Sequence, residues 1–314
     1  MKTTYAVVVT YNGMNWIDRC LGSLLNESSI SGIIVIDNAS YDGTVEHIKR
    51  DYPGVELISN EANLGFGRSN NQGIDIALRR GADYLFLLNQ DAWIDDGGVG
   101  KLLDVHREND QYGILSPIHL RGDGHALDMK YATFIAQSEN HKLVSDLFLG
   151  HDHLCSVYDV KFVNAAAWLI SRKCIESVGG FAPIYHHYGE DMDYAGRAAF
   201  HGFKIGICPG SVVYHDRVNS IVLPNILDSK QYLKLKKVWN LIYLTDINHS
   251  FMGRWIKLLL VSMGKAFGSL VALEGRNAVT YFREWLVLIA IWPKVVINNV
   301  QTKKEGSSFL MGGL

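Results

Sequence analysis

Residues 5–10 (YAVVVT) and 32–37 (GIIVID) are short runs of mostly β-branched residues, and a helix-like segment, Trp16–Leu25, lies between them. Such runs predict strands, so the three segments form a β-α-β unit. The alternation continues through a helix at Thr44–Arg50, a strand at Val55–Ser59, a helix at Ser69–Arg80 and the strongly apolar strand Tyr84–Asn89. Strands without a polar face predict an α/β fold with a mainly parallel sheet that helices cover on both faces.

The charge of the chain is unevenly distributed. Residues 1–229 carry 18 basic and 28 acidic side chains, whereas residues 230–314 carry 12 basic and 4 acidic ones. Nucleic acid is therefore disfavoured as a partner of the first part, and the second part is a candidate for contact with an anionic surface. Long helical patterns at Lys230–His249, Arg254–Leu273 and Ala278–Val300 coincide with this change. We predict a catalytic domain, 1–229, and a basic amphipathic helical region, 230–314.

The sequence favours a reducing, cytoplasmic location. Its four cysteines are scattered, and a disulfide framework would need a higher density. The first residues show no signal peptide. The apolar segments Leu258–Leu273 and Trp285–Ile297 are interrupted by Lys265 and by Pro293-Lys294, so we expect neither to span a bilayer.

Polar residues follow three of the predicted strands. These are Thr10-Tyr-Asn12, Asp37-Asn-Ala-Ser40 and Asn89-Gln-Asp91. Turns also favour such residues, but ligands of open α/β sheets bind at the carboxyl ends of the strands. The carboxylate of Asp91 suits Mg²⁺ or Mn²⁺, which would complete its shell with a diphosphate. No P-loop or G-x-G-x-x-G follows the first strand, so neither an NTPase nor a dinucleotide enzyme is supported.

Two other segments are candidates for chemistry. Glu190, Asp191 and Asp193 stand at the start of a predicted helix, Met192–His201, where acids also serve as caps. The preceding run Tyr185-His-His-Tyr188 could desolvate a carboxylate and tune it as a base. His215 ends an apolar strand and is either a metal ligand or a packed side chain. Residues Arg121–Asp159 are expected to form loops that flank a site.

The combined motifs resemble those of family 2 inverting glycosyltransferases. They are Val8-Val-Thr-Tyr-Asn12, Ile36-Asp-Asn-Ala-Ser40, Asn63-Leu-Gly-Phe, Asn70-Asn-Gln-Gly, Leu88-Asn-Gln-Asp91, Gly179-Gly-Phe, Glu190-Asp-Met-Asp193 and Pro209–His215. Within that family, the likeness is to rhamnosyltransferase-like enzymes and to galactofuranosyltransferases of cell-surface glycan assembly. It implies a GT-A fold, a nucleotide-diphospho-sugar donor carrying dTDP or UDP, and a Mg²⁺ or Mn²⁺ cofactor.

The resemblance also implies roles for single residues. Asp91 matches the last acid of the D-x-D metal motif and His215 a position that completes the metal shell, while Asn89 replaces the first acid. Asp191 matches the catalytic base, with Glu190 and Asp193 orienting it or the acceptor. The predicted nucleotide-binding residues are Thr10, Asn12, Asp37, Asn63, Asn89 and Gln90, and the predicted acceptor-binding residues are Trp168, His187 and Tyr188.

The resulting prediction is a transferase that moves a sugar to a hydroxyl of a growing, lipid-linked cell-surface glycan. Among the possible sugars, rhamnose is the one we expect. We expect it on the inner face of the cell membrane, held there peripherally by residues 230–314. The same helices could instead form a homodimer contact. Two other functions stay open, a nucleotidyltransferase and a non-catalytic sugar-nucleotide-binding module. The first would need a basic loop after the first strand, and residues 10–16 contain no Lys or Arg.

Overall fold

The computed structural model of the chain describes residues 2–137, 140–150, 154–217, 229–306 and 308–310. The strands are β1 (Thr4–Thr10), β2 (Gly32–Asp37), β3 (Glu56–Ser59), β4 (Tyr84–Asn89), β5 (Ala92–Ile94), β6 (Tyr112–Arg121), β7 (Tyr158–Val160), β8 (Ala167–Ser171) and β9 (Lys204–His215). The helices are α1 (Ile17–Leu25), α2 (Thr44–Asp51), α3 (Phe66–Arg79), α4 (Gly98–Glu108), α5 (Met129–Ile135), α6 (His141–Leu149), α7 (Arg172–Val178), α8 (Glu190–Phe200), α9 (Ser229–Thr245), α10 (Phe251–Val271) and α11 (Gly275–Thr302).

The first four strands form a parallel half-sheet in the order β3-β2-β1-β4. In its register, Thr10 pairs with Asp37 and Val9 with Asn89. Three strands therefore end together at one edge of the sheet. This confirms the predicted alternation of strands and helices over residues 4–89.

The other half of the sheet is mixed. β8 runs antiparallel to both β4 and β6, β9 runs parallel to β6, and β5 and β7 run antiparallel to β9. The described strands therefore make as many antiparallel as parallel pairs, and the mainly parallel arrangement holds only for the first half. All five residues of β8 are buried, as they are in parallel strands. An apolar stretch of sequence predicts that a strand is buried on both faces, but it does not predict whether the strand runs parallel or antiparallel to its neighbours.

Two apolar cores lie on opposite faces of the sheet. Successive residues of β1 alternate between them, since Val7 belongs to one core and Ala6 and Val8 belong to the other. The first core is closed by α3, α7 and α8, and the second by α1 and α4. Both faces are thus covered, as predicted.

The expectation of loops across residues 121–159 is wrong in part. Helices α5 and α6 lie in this stretch, and the Asp128 side chain caps α5 by accepting a hydrogen bond from the backbone N–H of Tyr131. The two helices have only 7 and 9 residues, which is too short for a clear helical period in the sequence.

The C-terminal helices pack against the loop that precedes α8. Leu241, Leu244 and Leu288 form an apolar cluster with Ala182 and Tyr185 of that loop. The Tyr185 hydroxyl is also hydrogen-bonded to the Thr245 hydroxyl. All three predicted helical patterns are confirmed as helices, while the division at residue 229 stays a prediction. No helix among the described residues is both long and apolar enough to cross a bilayer.

Residues 308–310 return to the sheet domain. The backbone N–H of Gly180 donates to the carbonyl of Ser308 at 2.8 Å, and Asn71 Nδ2 donates to the carbonyl of Phe309 at 3.2 Å. The end of the chain therefore supports the Gly179-Gly-Phe segment that leads towards α8.

Candidate active site

A cleft of about 270 Å³ opens at the carboxyl ends of β1 and β4. Six of the residues predicted from the sequence line it, namely Thr10, Asn63, Asn89, Gln90, Asp91 and His187. The other lining residues are Val9, Tyr11, Asn38, Gly65 and Phe66. The topology thus brings together residues that are up to 178 positions apart in the sequence, from Val9 to His187.

Gln90 fastens the end of β1 to the end of β4. Its Oε1 accepts hydrogen bonds from the Thr10 hydroxyl at 2.7 Å and from the Tyr11 backbone N–H at 2.8 Å. Its Nε2 donates to the Tyr11 carbonyl at 3.2 Å. The Gln90 amide is therefore occupied in shaping the floor of the cleft.

Asn12 and Asp37 lie beside this cleft and are not among the residues that line it. Asp37 is 1% exposed, and its carboxylate accepts from both the backbone N–H and the hydroxyl of Ser40. Ser40 Oγ in turn accepts from the Asn12 backbone N–H at 2.8 Å. The two residues brace neighbouring strand ends, and their contact with a nucleoside stays a prediction.

The side wall of the cleft is formed by residues 63–66. Asn63 Oδ1 accepts from the Gly65 backbone N–H at 2.9 Å. Gly65 has φ +85°, and a Cβ there would lie 2.5 Å from the His186 carbonyl oxygen. Only glycine permits this close approach, which brings His187 to the cleft.

Asp91 and His215 meet at the other end of the cleft. Ala92 pairs with His215 in the sheet, and His215 Nε2 lies 3.3 Å from Asp91 Oδ1. The other ring nitrogen, Nδ1, lies 3.5 Å from Asp128 Oδ2. Both nitrogens are buried without a hydrogen bond of good geometry to any described residue. The imidazole is thus held between two carboxylates.

These contacts determine the charge at this end of the cleft. Burial by itself would raise the pKa values of Asp91 and Asp128, but His215 and Arg217 outweigh it, and both pKa values lie below their ordinary range. The pKa of His215 is lowered by burial and raised more strongly by Asp128 and Asp91, so the net direction is upward. Asp91 and Asp128 are therefore carboxylates at neutral pH. No group of three or more His, Cys, Asp or Glu side chains suited to a metal occurs in the described ranges.

The carboxylate of Asp191 lies near the end of β4. It accepts a hydrogen bond from the Met192 backbone N–H at 2.9 Å and another from the N–H of Ala165. The next residue, Ala166, accepts from the Asn89 backbone N–H at 2.9 Å. Burial raises the pKa of Asp191, while these N–H groups and Lys130 offset part of the shift. A half-buried carboxylate with a raised pKa is suited to accept a proton near neutral pH.

Glu190 lies beside Asp191 and is 7% exposed. Burial, with Asp191 and Asp193 nearby, raises the pKa of Glu190 to about 7, and its Oε2 has no hydrogen-bond partner in the described residues. Asp193 faces elsewhere: it forms a buried ion pair with Arg197, whose Nε lies 2.8 Å from Asp193 Oδ2. Arg197 also donates to the carbonyls of Val178 and Gly180. The structure thus places Asp193 in the support of α8, and its role in orienting Asp191 or the acceptor stays a prediction.

The three predicted acceptor-binding residues differ in their burial and in their position relative to the cleft. Trp168 is 0% exposed in the centre of β8, and its ring stacks on Phe181. A side chain without exposed surface cannot contact an acceptor, so that prediction is wrong for Trp168 as the structure has it. His187 lines the cleft, and Tyr188 is 60% exposed with Lys130 5.1 Å from its ring centre.

The sequence analysis missed several residues of this site. Asn38 and Tyr11 each lie next to a predicted residue, so position after a strand was a usable signal for both. Asp128 lies 87 positions before its partner His215, in a stretch without a recognisable motif. Only the fold could reveal that contact.

Comparison with known proteins identifies the family. The profile of the family described as Glycosyl transferase family 2 matches residues 5–176, which include β1–β8 and Asp91. The chain belongs to glycosyl transferase family 2. This family membership favours a glycosyltransferase over the nucleotidyltransferase alternative.

Two relatives are rhamnosyltransferases according to their names. An N-acetylglucosaminyl-diphospho-decaprenol L-rhamnosyltransferase of Mycobacterium tuberculosis is 26% identical over 235 residues, which cover 68% of this chain and 76% of the relative. A dTDP-rhamnosyl transferase, RfbF of Shigella flexneri, is 29% identical over 121 residues, or 38% of this chain and 39% of RfbF.

Solved structures agree on the fold. Staphylococcus aureus TarS, crystallised with UDP, superposes with a TM-score of 0.54 at 13% identity over 96% of this chain and 90% of TarS residues 1–349. GalNAc-T7 with UDP, GalNAc and Mn²⁺ superposes with a TM-score of 0.52 at 15% identity, over 78% of this chain and half of the other. The GT-A fold expected from the sequence is confirmed.

The raised pKa of Glu190 predicts a pH-dependent stability difference. The folded state favours the protonated form of Glu190. The stability that this protonated side chain contributes is therefore fully present below pH 4.5 and is lost as the pH rises through about 7. Glu190→Gln keeps the neutral form, so relative to wild type it should gain up to about 3 kcal/mol in the free energy of unfolding across that window. Urea unfolding of both proteins at several pH values measures the gain.

Glu108→Gln serves as the control, because Glu108 is exposed at the end of α4. It should track wild type at every pH. A Glu190→Gln curve that also runs parallel to wild type would show that Glu190 titrates as an exposed carboxyl.

Proposed function

We propose that this glycosyltransferase moves rhamnose from a nucleotide-diphospho-sugar to a hydroxyl of a lipid-linked glycan precursor. The proposed donor is dTDP-rhamnose. The observation that carries the proposal is the cleft of polar strand ends at the carboxyl ends of β1 and β4, with Asp191 held near it through the backbone of Ala165 and Ala166. The names of the two rhamnosyltransferase relatives support rhamnose, and the M. tuberculosis name supports a lipid-linked acceptor.

The reaction is an inverting, single displacement. Asp191 removes the proton of the acceptor hydroxyl while that oxygen attacks the anomeric carbon, and the bond from this carbon to the diphosphate oxygen breaks with its electron pair. The nucleoside diphosphate leaves with this charge, and the proton remains on Asp191. General-base assistance of this kind contributes about 10²–10⁴-fold to the rate. The raised pKa of Asp191 implies that transfer slows as the pH falls, because the protonated form is not a base.

The residues at the far end of the cleft fit a divalent cation. Asp91 Oδ1 and His215 Nε2 lie 3.3 Å apart, so both side chains would be close enough to hold one Mg²⁺ or Mn²⁺. His215 Nε2 has no other hydrogen-bond partner among the described residues, and 24% of the Asp91 side chain is exposed. A bound Mg²⁺ or Mn²⁺ would supply positive charge for the departing diphosphate.

Two further residues adapt this site. Asp128 Oδ2 lies 3.5 Å from Nδ1 of His215, on the side of the ring away from Asp91, and would favour the orientation in which Nε2 faces Asp91. Asn89, in the place of the first acid of the motif, contributes an amide and no charge, and its Oδ1 is buried without a partner in the described residues. With one carboxylate fewer, cation affinity depends more strongly on the diphosphate itself.

The proposed location is the inner face of the cell membrane, where a lipid-linked acceptor is presented. The protein would be attached peripherally through residues 230–314, which carry 12 basic and 4 acidic side chains.

Asp191→Asn tests the base directly. The amide keeps the size of the carboxylate and one oxygen that accepts a backbone hydrogen bond, but it cannot take up the proton, so transfer should fall by about 10²–10⁴-fold while nucleotide binding persists. Single-turnover transfer from dTDP-rhamnose and calorimetric titration with dTDP measure the two effects. Asp96→Asn, at an exposed position outside the cleft, is the control. More than about a tenth of wild-type transfer in Asp191→Asn would exclude this base.

Asp91→Ala tests the cation site. In the presence of Mn²⁺ the variant should bind dTDP at least about tenfold more weakly than wild type, because Asp91 would no longer hold the cation whose charge favours the diphosphate. Without Mn²⁺ the two proteins should differ little. Asp96→Ala controls for the loss of a carboxylate at neutral pH. If Asp91→Ala retains the full Mn²⁺-dependent gain in affinity, the cation is bound elsewhere or does not bridge the nucleotide.

A further inference from the structure

Helix α10 exposes a large number of its apolar side chains. Its buried residues are the small Ser262, Ala266 and Ser269, and the larger residues that pack on the C-terminal cluster, Phe251, Trp255, Leu258 and Leu259, are only partly buried. Its large exposed residues include Met252, Ile256, Leu260, Met263, Phe267 and Leu270, with Leu260 and Phe267 at 68% and 70% exposure. A helix that packs only on protein shows the opposite distribution.

These six exposed residues of α10 form one stripe, and the exposed Val261 lies outside it. They follow each other at spacings of three and four, so at about 100° per residue all six lie within an arc of about 80°. Helix α11 has a similar exposed stripe, which consists of Val279, Phe282, Leu286, Ile289, Ile297 and Val300. The turn between the two helices ends the surface with Leu273, which is 92% exposed. We call these residues together the hairpin face.

The charges of the hairpin are almost all positive at its surface. Its exposed cations are Lys257, Lys265, Arg276, Arg283 and Lys294. Glu274 is exposed, whereas Glu284 is 4% exposed and accepts hydrogen bonds from Tyr232 and Asn240. The hairpin therefore presents large apolar side chains accompanied by cations, with one acid to balance them.

We propose that the hairpin face docks on an anionic lipid bilayer, with α10 and α11 lying in the interface between headgroups and acyl chains. A stripe of large apolar side chains with accompanying Lys and Arg matches such an interface in both polarity and charge. A second copy of the chain would bring the same cations together, and the hairpin has too few acids to pair them. Charge complementarity therefore selects the bilayer.

Docking of the hairpin face would also affect the loop that precedes α8. The same helical region packs on Ala182 and Tyr185, and Ile242 of α9 lies against Gly189, where a Cβ would meet it at 2.8 Å. The surface that meets lipid is thus joined, through α9, to the start of α8. This inference rests on the proposed function only for its purpose, which is to hold the cleft close to a lipid-linked acceptor.

Vesicle flotation without donor or acceptor tests the docking. Wild type should float with vesicles of phosphatidylglycerol and phosphatidylcholine in equal parts, should not float with phosphatidylcholine alone, and should bind less as salt is added. The double variant Leu260→Gln/Phe267→Gln should weaken binding by at least about tenfold for each side chain. Lys257→Gln and Arg283→Gln should each weaken binding to anionic vesicles about fivefold.

The matched control is Leu149→Gln/Phe148→Gln on α6, which removes the same two side chains at exposed positions outside the hairpin. It should bind as wild type does. Because all these positions are exposed, circular dichroism should show an intact fold in each variant. Two results would overturn the proposal: wild type that ignores anionic vesicles at low salt, or a hairpin variant that binds them as wild type does.

Light scattering distinguishes docking on a bilayer from dimer formation through the hairpin face. If wild type is a dimer that only the hairpin variant dissociates, the face is covered by a second copy and the bilayer inference is wrong. Hydrolysis of dTDP-rhamnose in solution involves the cleft alone, so its failure would count against the proposed function and would leave the vesicle result intact.

Discussion

The parallel register of β1 between β2 and β4 is the constraint on which the site depends. It makes three strands end at one edge, with Thr10 beside Asp37 and Val9 beside Asn89. Each of these strands is apolar along its length and polar directly after it, so burial fixes the strands and leaves the polar ends free to form a cleft. Gln90 then closes this edge by joining β4 to Thr10 and Tyr11.

The second half of the chain adds reactive groups to that edge. β9 brings His215 to Asp91, and the start of α8 brings Asp191 to the backbone beside Asn89. The position of α8 depends on the buried pair of Asp193 and Arg197, and Arg197 also holds two carbonyls of the preceding segment. Removal of one partner from such a buried pair costs about 3–5 kcal/mol. This buried pair thus supports the helix that carries Asp191, the proposed base.

The sequence was sufficient where structure is set locally. The first four strands, the helices between them and the long C-terminal helices follow from apolar runs and periodicity, and the polar strand ends identified Thr10, Asn89 and Asp91. The direction of β8 could not be predicted, because a buried apolar strand has the same sequence pattern in either direction. The helices of residues 121–159 could not be predicted, because they are too short to show a clear helical periodicity. The prediction for Trp168 failed because this residue lies in a strand that is buried throughout. Asp193 lies two residues after Asp191, which is about 200° around the helix, and its role in orienting Asp191 or the acceptor stays a prediction. The contact between Asp128 and His215 depends on tertiary structure alone.

The central claim is a single displacement at this cleft with a carboxylate base. Its most direct test is the anomeric configuration of the product, read by proton NMR after transfer from dTDP-rhamnose to a lipid-diphosphate-linked sugar acceptor. The account predicts that the new glycosidic bond has the opposite anomeric configuration to that of the donor. A product that retains the configuration of the donor would require two displacements or a different nucleophile, and would contradict the account.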